Sequence, residues 1–312
     1  MTLSSFPNGF KNGLLVKNVR VPDTVAGSVF WVDSGSGSDI GKAGTYNYPF
    51  ATLDYAVGKC AANNGDIIYI KPGHSETISS ATALLLDVAG ITVIGLGVGS
   101  NKPTFTLDTA TTATIPVSAA NISISNIKFS ANYADIADLF TLSATDFKVY
   151  DCDFVATATN MNFVEIVDTG TTDNECDGLE FHRCKWIEPD TATTSFLNID
   201  ADLDGLKVLD CYFNLGVNTS DLPIIADVAT GKDITNIEVS RNICIRLNDA
   251  NPLLITADTT TANTGVMADN KVRHLDTAAE LLVTAGTNIG FFDNKATAAV
   301  DASGYLLPAA DS

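Results

Sequence analysis

Cys152 stands between two aspartates in FKVYDCDF (147–154). A cysteine flanked by carboxylates could hold a soft metal, and a carboxylate pair at a strand end could do acid–base work. Other groups raise the same question. His74 and Glu76 in PGHSET are spaced as a base and the carboxylate that orients it, but no nucleophile accompanies them. Asp200, Asp202 and Asp204 in NIDADLDG imitate half of a calcium loop without its bidentate glutamate, which leaves a solvated turn. GLGVGSNKP (95–103) is glycine-rich but lacks the Gly-Lys-Ser/Thr of a phosphate loop. The cysteines are not spaced as CxxC pairs, so no structural zinc is expected. What any of these residues does depends on the elements that hold it.

Those elements repeat. FKVYDCDF has relatives in ITVIGLGV (91–98), ISISNIKF (122–129), LEFHRCKW (179–186), LKVLDCYF (206–213), IEVSRNIC (237–244), GVMADNKV (265–272) and IGFFDNKA (289–296). They align without a gap, with apolar residues mostly at positions 1, 3 and 8, and recur about every 28 residues. Second apolar stretches lie between them, such as LFTL (139–142), SFLNI (195–199), PIIADV (223–228) and ELLVT (280–284). Alternation of period two marks strands with one buried face, and Thr, Ser, Asn, Asp and Gly fill the intervals as turns require. Short strands at a regular long period predict an all-β fold: a right-handed parallel β-helix of about nine coils, beginning at GDIIYIKPG (65–73).

Stacked coils place like position over like. The sixth position therefore becomes a structural ladder of Cys152, Cys184, Cys211, Asn242, Asn270 and Asn294. Cysteine there acts as a small buried hydrophobe, and asparagine bonds to its neighbours above and below. Free, buried thiols are expected, since side chains stacked in register run parallel instead of converging on a disulfide. The fifth position reads Asp151, Arg183, Asp210, Arg241, Asp269, so adjacent coils can pair opposite charges. On this account Asp151 is a rung of a charge ladder and FKVYDCDF is scaffold.

The open sheet edge at the N-terminal end needs a cap. Residues 50–62, FATLDYAVGKCAA, carry Phe50, Leu53, Tyr55, Ala56 and Val57 near helical spacing, and predict a short capping helix that ends at Asn63-Asn64-Gly65. The stretch FWVDSGSGSDIGKAGTYNYPFATLDYAVGKCAANNGDIIYIKPG (30–73) resembles the lead-in of pectate-lyase-like right-handed parallel β-helix proteins. FPNGFKNGLLVKNVRVPDTVAG (6–27) resembles the leader of β-helix proteins encoded by tailed bacteriophages. The expected organisation is a docking arm at 1–28, a lead-in with capping helix at 29–64, the β-helix at 65–296 and a C-terminal cap or tail at 297–312.

Lyases of the family resemble one another in a calcium-binding carboxylate cluster and an arginine or lysine base. This chain has five arginines, two of them already in the charge column, and lacks the galacturonase-like Asn-Thr-Asp, Asp-Asp, His-Gly and Arg-Ile-Lys motifs. Trp186 falls on an inward position and Trp31 in the lead-in, so no stacked sugar platform is expected. No catalytic residue, cofactor or metal is assigned, and the chain is expected not to be an enzyme.

The 312 residues carry 18 Lys plus Arg against 37 Asp plus Glu, a formal net charge of -19, which disfavours a nucleic-acid partner. No apolar run approaches the ~20 residues of a membrane helix, and the N-terminus lacks a basic stretch followed by an apolar one, so neither membrane nor export is expected. The resemblance then implies a phage virion structural protein. The expected role is capsid decoration, assembled in the host cytoplasm and lodged on the head surface. Phe6, Phe10, Leu14 and Leu15 would dock on the major capsid protein or another virion protein, and a homotrimer would be the assembled form. The alternative is a tailspike or fibre module that binds or cleaves host polysaccharide.

Overall fold

A computed structural model describes residues 14–16, 19–21, 27–158, 160–187, 195–215, 224–227, 231–245, 255–256, 263–273 and 288–296. Three parallel sheets run along the chain, of ten, nine and six strands among these residues. The first contains the strands of the repeat itself, including Lys148–Tyr150, Glu180–His182, Lys207–Leu209 and Ile237–Ser240. The second takes the end of each unit, including Asp153–Ala156, Lys185–Ile187 and Tyr212–Asn214. The third comes from the intervening apolar stretches, including Ile136–Leu142, Phe163–Asp168 and Ser195–Ile199. The fold is the expected parallel β-helix. All three sheets run together for about six turns, fewer than the nine coils expected, although two of the sheets reach nine and ten rungs.

Register confirms the columns. Lys148 lies opposite Ser123 and Glu180, and Phe154 lies between Phe129 and Trp186. Position 8 builds an aromatic stack inside the coil from Phe129 onward, while in the first unit Val98 is exposed and Phe105, seven residues later, takes the place in register with Phe129. Phe105, Phe129 and Phe154 follow one another at 5.9 and 5.8 Å between ring centroids, and Trp186 and Phe213 continue the row. Each fully buried aromatic contributes about 1.5–3 kcal/mol of transfer free energy.

The corners between sheets are single residues with left-handed backbone. Asn126, Asp151, Arg183, Asp210, Arg241, Asp269 and Asp293 all have φ between 50° and 59°. Asp and Asn tolerate that conformation best, and arginine accepts it at some cost. In the same column a Cβ on Gly95 would collide with the Asn126 carbonyl. The expected charge ladder is present as two bidentate pairs instead of a continuous run. Arg183 grips Asp151 at 2.8 Å through Nε and Nη2, and Arg241 grips Asp210 at 2.8 and 3.0 Å. A guanidinium fork saturates one carboxylate and leaves little for the next coil.

Cys152, Cys184 and Cys211 are buried free thiols, and Asn242, Asn270 and Asn294 are buried beneath them in the same column. The two residue types do the same job. Cys184 and Cys211 aim Sγ at the carbonyls of Val149 and Phe181 on the preceding coil, each at 3.6 Å. Asn242, Asn270 and Asn294 donate Nδ2 to Val208, Val239 and Met267 at 2.8, 2.8 and 2.9 Å. Each of these acceptors is position 3 of its unit. The asparagines add a second link: Oδ1 of Asn242, Asn270 and Asn294 accepts the backbone N–H of Cys211, Asn242 and Asn270. Burial pushes the Cys152 thiol up to about 12, which leaves it a poor nucleophile.

The N-terminal end is closed by a helix of five residues, Leu53–Val57, shorter than the expected run. Thr52 caps it by accepting from the Tyr55 N–H, and Leu53, Ala56 and Val57 face the core. The helix stops early because Asp66, 1% exposed, draws the following chain away. Its carboxylate accepts the N–H groups of Ala61 at 2.7 Å and Ser28 at 2.5 Å, and the Asn64 amide at 2.8 Å. Cys60 packs partly buried at the edge of this cap, away from the column. The first rung of the ten-stranded sheet is Val29–Val32, paired in register with Ile67–Ile70, so the lead-in strand belongs to the rod. Leu14 and Leu15 lie in Leu14–Val16, which pairs antiparallel with Val19–Val21 as a hairpin. Phe6, Phe10 and residues 297–312 lie outside the described residues.

Candidate functional site

Inside the ten-stranded sheet, Val149, Phe181 and Val208 face the core. The residues on either side of them therefore form two outward columns, since side chains alternate along a strand. Position 2 supplies Lys148, Glu180, Lys207 and Glu238, which lie opposite one another on successive coils. Position 4 supplies Tyr150 and His182. These residues meet. Glu180 Oε1 accepts from Lys148 Nζ at 3.3 Å and Lys207 Nζ at 3.0 Å, while Oε2 lies 3.0 Å from His182 Nε2. The Tyr150 ring stacks on His182, centroids 5.0 Å apart and 28° between planes.

Electrostatics keep this cluster ionic. Burial works to raise the Glu180 carboxyl, but hydrogen bonds from Lys207 and His182 and the charges of Lys148 and Lys207 outweigh it, so the net shift is downward. The hydrogen bond to Glu180 raises Lys207. The Tyr150 hydroxyl is raised, first by burial and then by the charge of Glu180. An ionised carboxylate only accepts, so His182 presents its hydrogen from Nε2. Its Nδ1 has no hydrogen-bond partner among the described residues. The arrangement is a base held by a carboxylate, with two ammonium groups and a phenol within reach.

A second acidic group lies on the six-stranded sheet, where Asp138 is opposite Glu165. Burial first, and then the charge of Asp168, pushes the Asp138 carboxyl up to about 6, with a hydrogen bond to Glu165 opposing. The native state then holds a proton that the unfolded chain releases near pH 4. Stability contributed by this group is present below pH 4 and is lost as pH rises to about 6. Asp138→Asn should therefore stabilise the rod at pH 7.5 by on the order of 1 kcal/mol, the screened value for a partly exposed group, and give no gain at pH 3.5. Urea unfolding at the two pH values checks this; an equal effect at both would rule the ionisation out as its cause.

Four of the other sequence candidates, His74, Glu76, Asp202 and Asp204, are accounted for within the scaffold. His74 is 1% exposed; its Nδ1 accepts the Ser34 N–H at 3.0 Å and its Nε2 meets Glu76 at 3.1 Å. Glu76 Oε2 also accepts the Leu53 N–H at 3.0 Å, so the pair ties the capping helix to the first coil. Asp202 and Asp204 accept hydrogen bonds from the next coil, at Asp233 N, Thr235 Oγ1 and Asn236 Nδ2. No group of three or more His, Cys, Asp and Glu is arranged for a metal ion among the described residues.

No protein-family profile matches the chain, and no curated protein matches it in sequence. Solved structures do resemble it in architecture. A rhamnogalacturonan lyase aligns at 15% identity over 84% of this chain and 87% of its own, with a TM-score of 0.40. The pectin methylesterase of Aspergillus niger aligns at 12% over 91% and 90%, with a TM-score of 0.44. ORF18 of Geobacillus virus E2 aligns at 12% over 86% and 60%, with a TM-score of 0.36. Two of these neighbours are named as enzymes, and the expectation that the chain is not an enzyme, which rested on missing contiguous motifs, is withdrawn. On a β-helix, groups that act together sit on different coils about 30 residues apart, as Lys148, Glu180 and Lys207 do. A short motif cannot record them.

Proposed function

We propose that the chain acts on a hydroxyl-rich, weakly charged polysaccharide along the outward face of its ten-stranded sheet. The observation that carries this is the Tyr150–His182 stack set against Glu180 and its two lysines. An aromatic face accepts the apolar side of a sugar ring, while neighbouring ammonium and carboxylate groups bond its hydroxyls. His182, oriented by Glu180, is the group placed to take a proton from a bound hydroxyl or ring carbon. The net charge of -19 disfavours a polyanionic chain. This is the glycan-directed alternative among the roles that the sequence suggests, and the rhamnogalacturonan lyase and the pectin methylesterase carry names of the same substrate class.

Affinity electrophoresis through gels containing dextran, galactomannan, methyl-esterified pectin or polygalacturonate tests the proposal. At least one neutral polysaccharide should retard the protein, and Tyr150→Ala should weaken that retardation about 10-fold or more. Glu180→Gln should weaken it by a similar factor and also abolish any release of new chain ends. Migration unchanged by every polysaccharide, or equal for the parent and both variants, rules this face out.

A further inference from the structure

The outward column that holds Tyr150 and His182 continues toward the N-terminal end through Ser125, Ile94 and Tyr69 to Trp31. There a second aromatic group stands. The Trp31 and Tyr69 rings lie 4.9 Å apart at 31°, and Tyr46 from the lead-in loop meets Trp31 edge-on at 4.9 Å and 88°. Lys71 Nζ sits 4.7 Å above the Tyr46 ring and 3.6 Å from Asp33. Tyr46 is 59% exposed. Nothing in the core needs these rings: Val32 and Ile70 carry the inward packing of the two rungs. Three large aromatics therefore gather on an outward face, rimmed by a lysine and an aspartate.

Trp31–Tyr69 and Tyr150–His182 share one column on one sheet. Three rungs separate Tyr69 from Tyr150, about 14 Å at ~4.8 Å per rung. Between them stand Ile94 and Ser125, smaller side chains that leave the floor lower than the two platforms.

We infer that Trp31, Tyr69 and Tyr46 form a second glycan subsite, and that one linear saccharide lies along the rod axis with a ring on each platform. This deepens the proposed function and rests on it. A single ligand that spans both platforms gains from the second contact as an intramolecular event, so affinity rises steeply once the chain is long enough to reach. The lead-in loop, through Tyr46, then sets the minimum length of a good ligand. Lys71 and Asp33 offer the ring held there one donor and one acceptor.

Size-fractionated fragments of whichever neutral polysaccharide retards the protein provide the probe, as a disaccharide and an octasaccharide, with binding followed by calorimetry. The parent should bind the octasaccharide at least about 10-fold more tightly than the disaccharide. Trp31→Ala and Tyr46→Ala should bring that ratio to about one, whereas Tyr150→Ala should weaken both ligands. Tyr46 is exposed, so its variant keeps the test alive if Trp31→Ala disturbs folding. Equal affinity of the two fragments for the parent, or a full length advantage in Tyr46→Ala, overturns the second subsite. Indifference of both fragments to Tyr150→Ala overturns the proposed function instead.

Discussion

Asn270→Ala lowers stability by about 3–5 kcal/mol, more than an ordinary polar substitution costs. Asn270 is fully buried, and its side chain closes four hydrogen bonds on three coils. Oδ1 accepts from the N–H and Nδ2 of Asn242, each at 3.0 Å, and Nδ2 donates to Val239 O and Asn294 Oδ1, each at 2.8 Å. Truncation leaves the Asn242 N–H and the Val239 carbonyl buried without those partners, each at about 1–3 kcal/mol, while Asn294 Oδ1 keeps the Asn270 N–H and loses one of its two bonds. Asn270→Cys should cost about half as much, since a thiol can still face the Val239 carbonyl but cannot take both Asn242 hydrogens. Urea midpoints rank the two variants, and hydrogen exchange of the Asn242 amide locates the damage. A loss below about 1 kcal/mol for the alanine variant means that the ladder is ornamental.

His74→Ala should cost about 3 kcal/mol and release the N-terminal cap. The imidazole packs on Phe105 with centroids 5.4 Å apart, and its removal leaves a cavity beside the Ser34 N–H and strips Glu76 of a partner. In a stack of coils, stability is a sum of nearest-neighbour terms, so damage at an end frays that end first. Limited proteolysis should cut the variant between Leu53 and Gly65 well before it cuts elsewhere. Glu76→Gln keeps an acceptor for the Leu53 N–H and should cost less. Equal protection of the 53–65 segment in the parent and in His74→Ala would falsify the tie.

Much of the rod was legible because its columns are written at fixed positions of an eight-residue unit. The Cys–Asn ladder and the inward aromatics follow from that alignment alone. The same alignment held a further signal in the residue before six of the eight units. Gly90, Asn121, Asp146, Gly178, Gly205 and Asn236 all adopt left-handed backbone, so each marks the corner where its coil enters the first sheet. The six-stranded sheet was harder to read because adjacent residues such as Leu139 and Phe140, or Ile166 and Val167, are both buried, which breaks the period of two. The site was hidden for a different reason. Lys148, Glu180, Lys207 and Glu238 alternate in charge at position 2, but only the folded register shows that Glu180 meets both lysines. Trp31 falls in the lead-in by sequence, since the strand it belongs to pairs across the whole capping segment.

The inward column of the nine-stranded sheet runs Phe129, Phe154, Trp186, Phe213 and then Cys244 and Val272. The side chains of this column therefore shrink along the chain, and the asparagine rungs begin as the large rings end. A chain leaving the ribosome presents the aromatic half first. That half can close on its own cap and bury its rings while the rest is still being made. The later half then has a finished coil to grow on, and its amides find their carbonyl partners already lined up. Translation and the order of the column run in the same direction, so the large rings can be covered before synthesis ends.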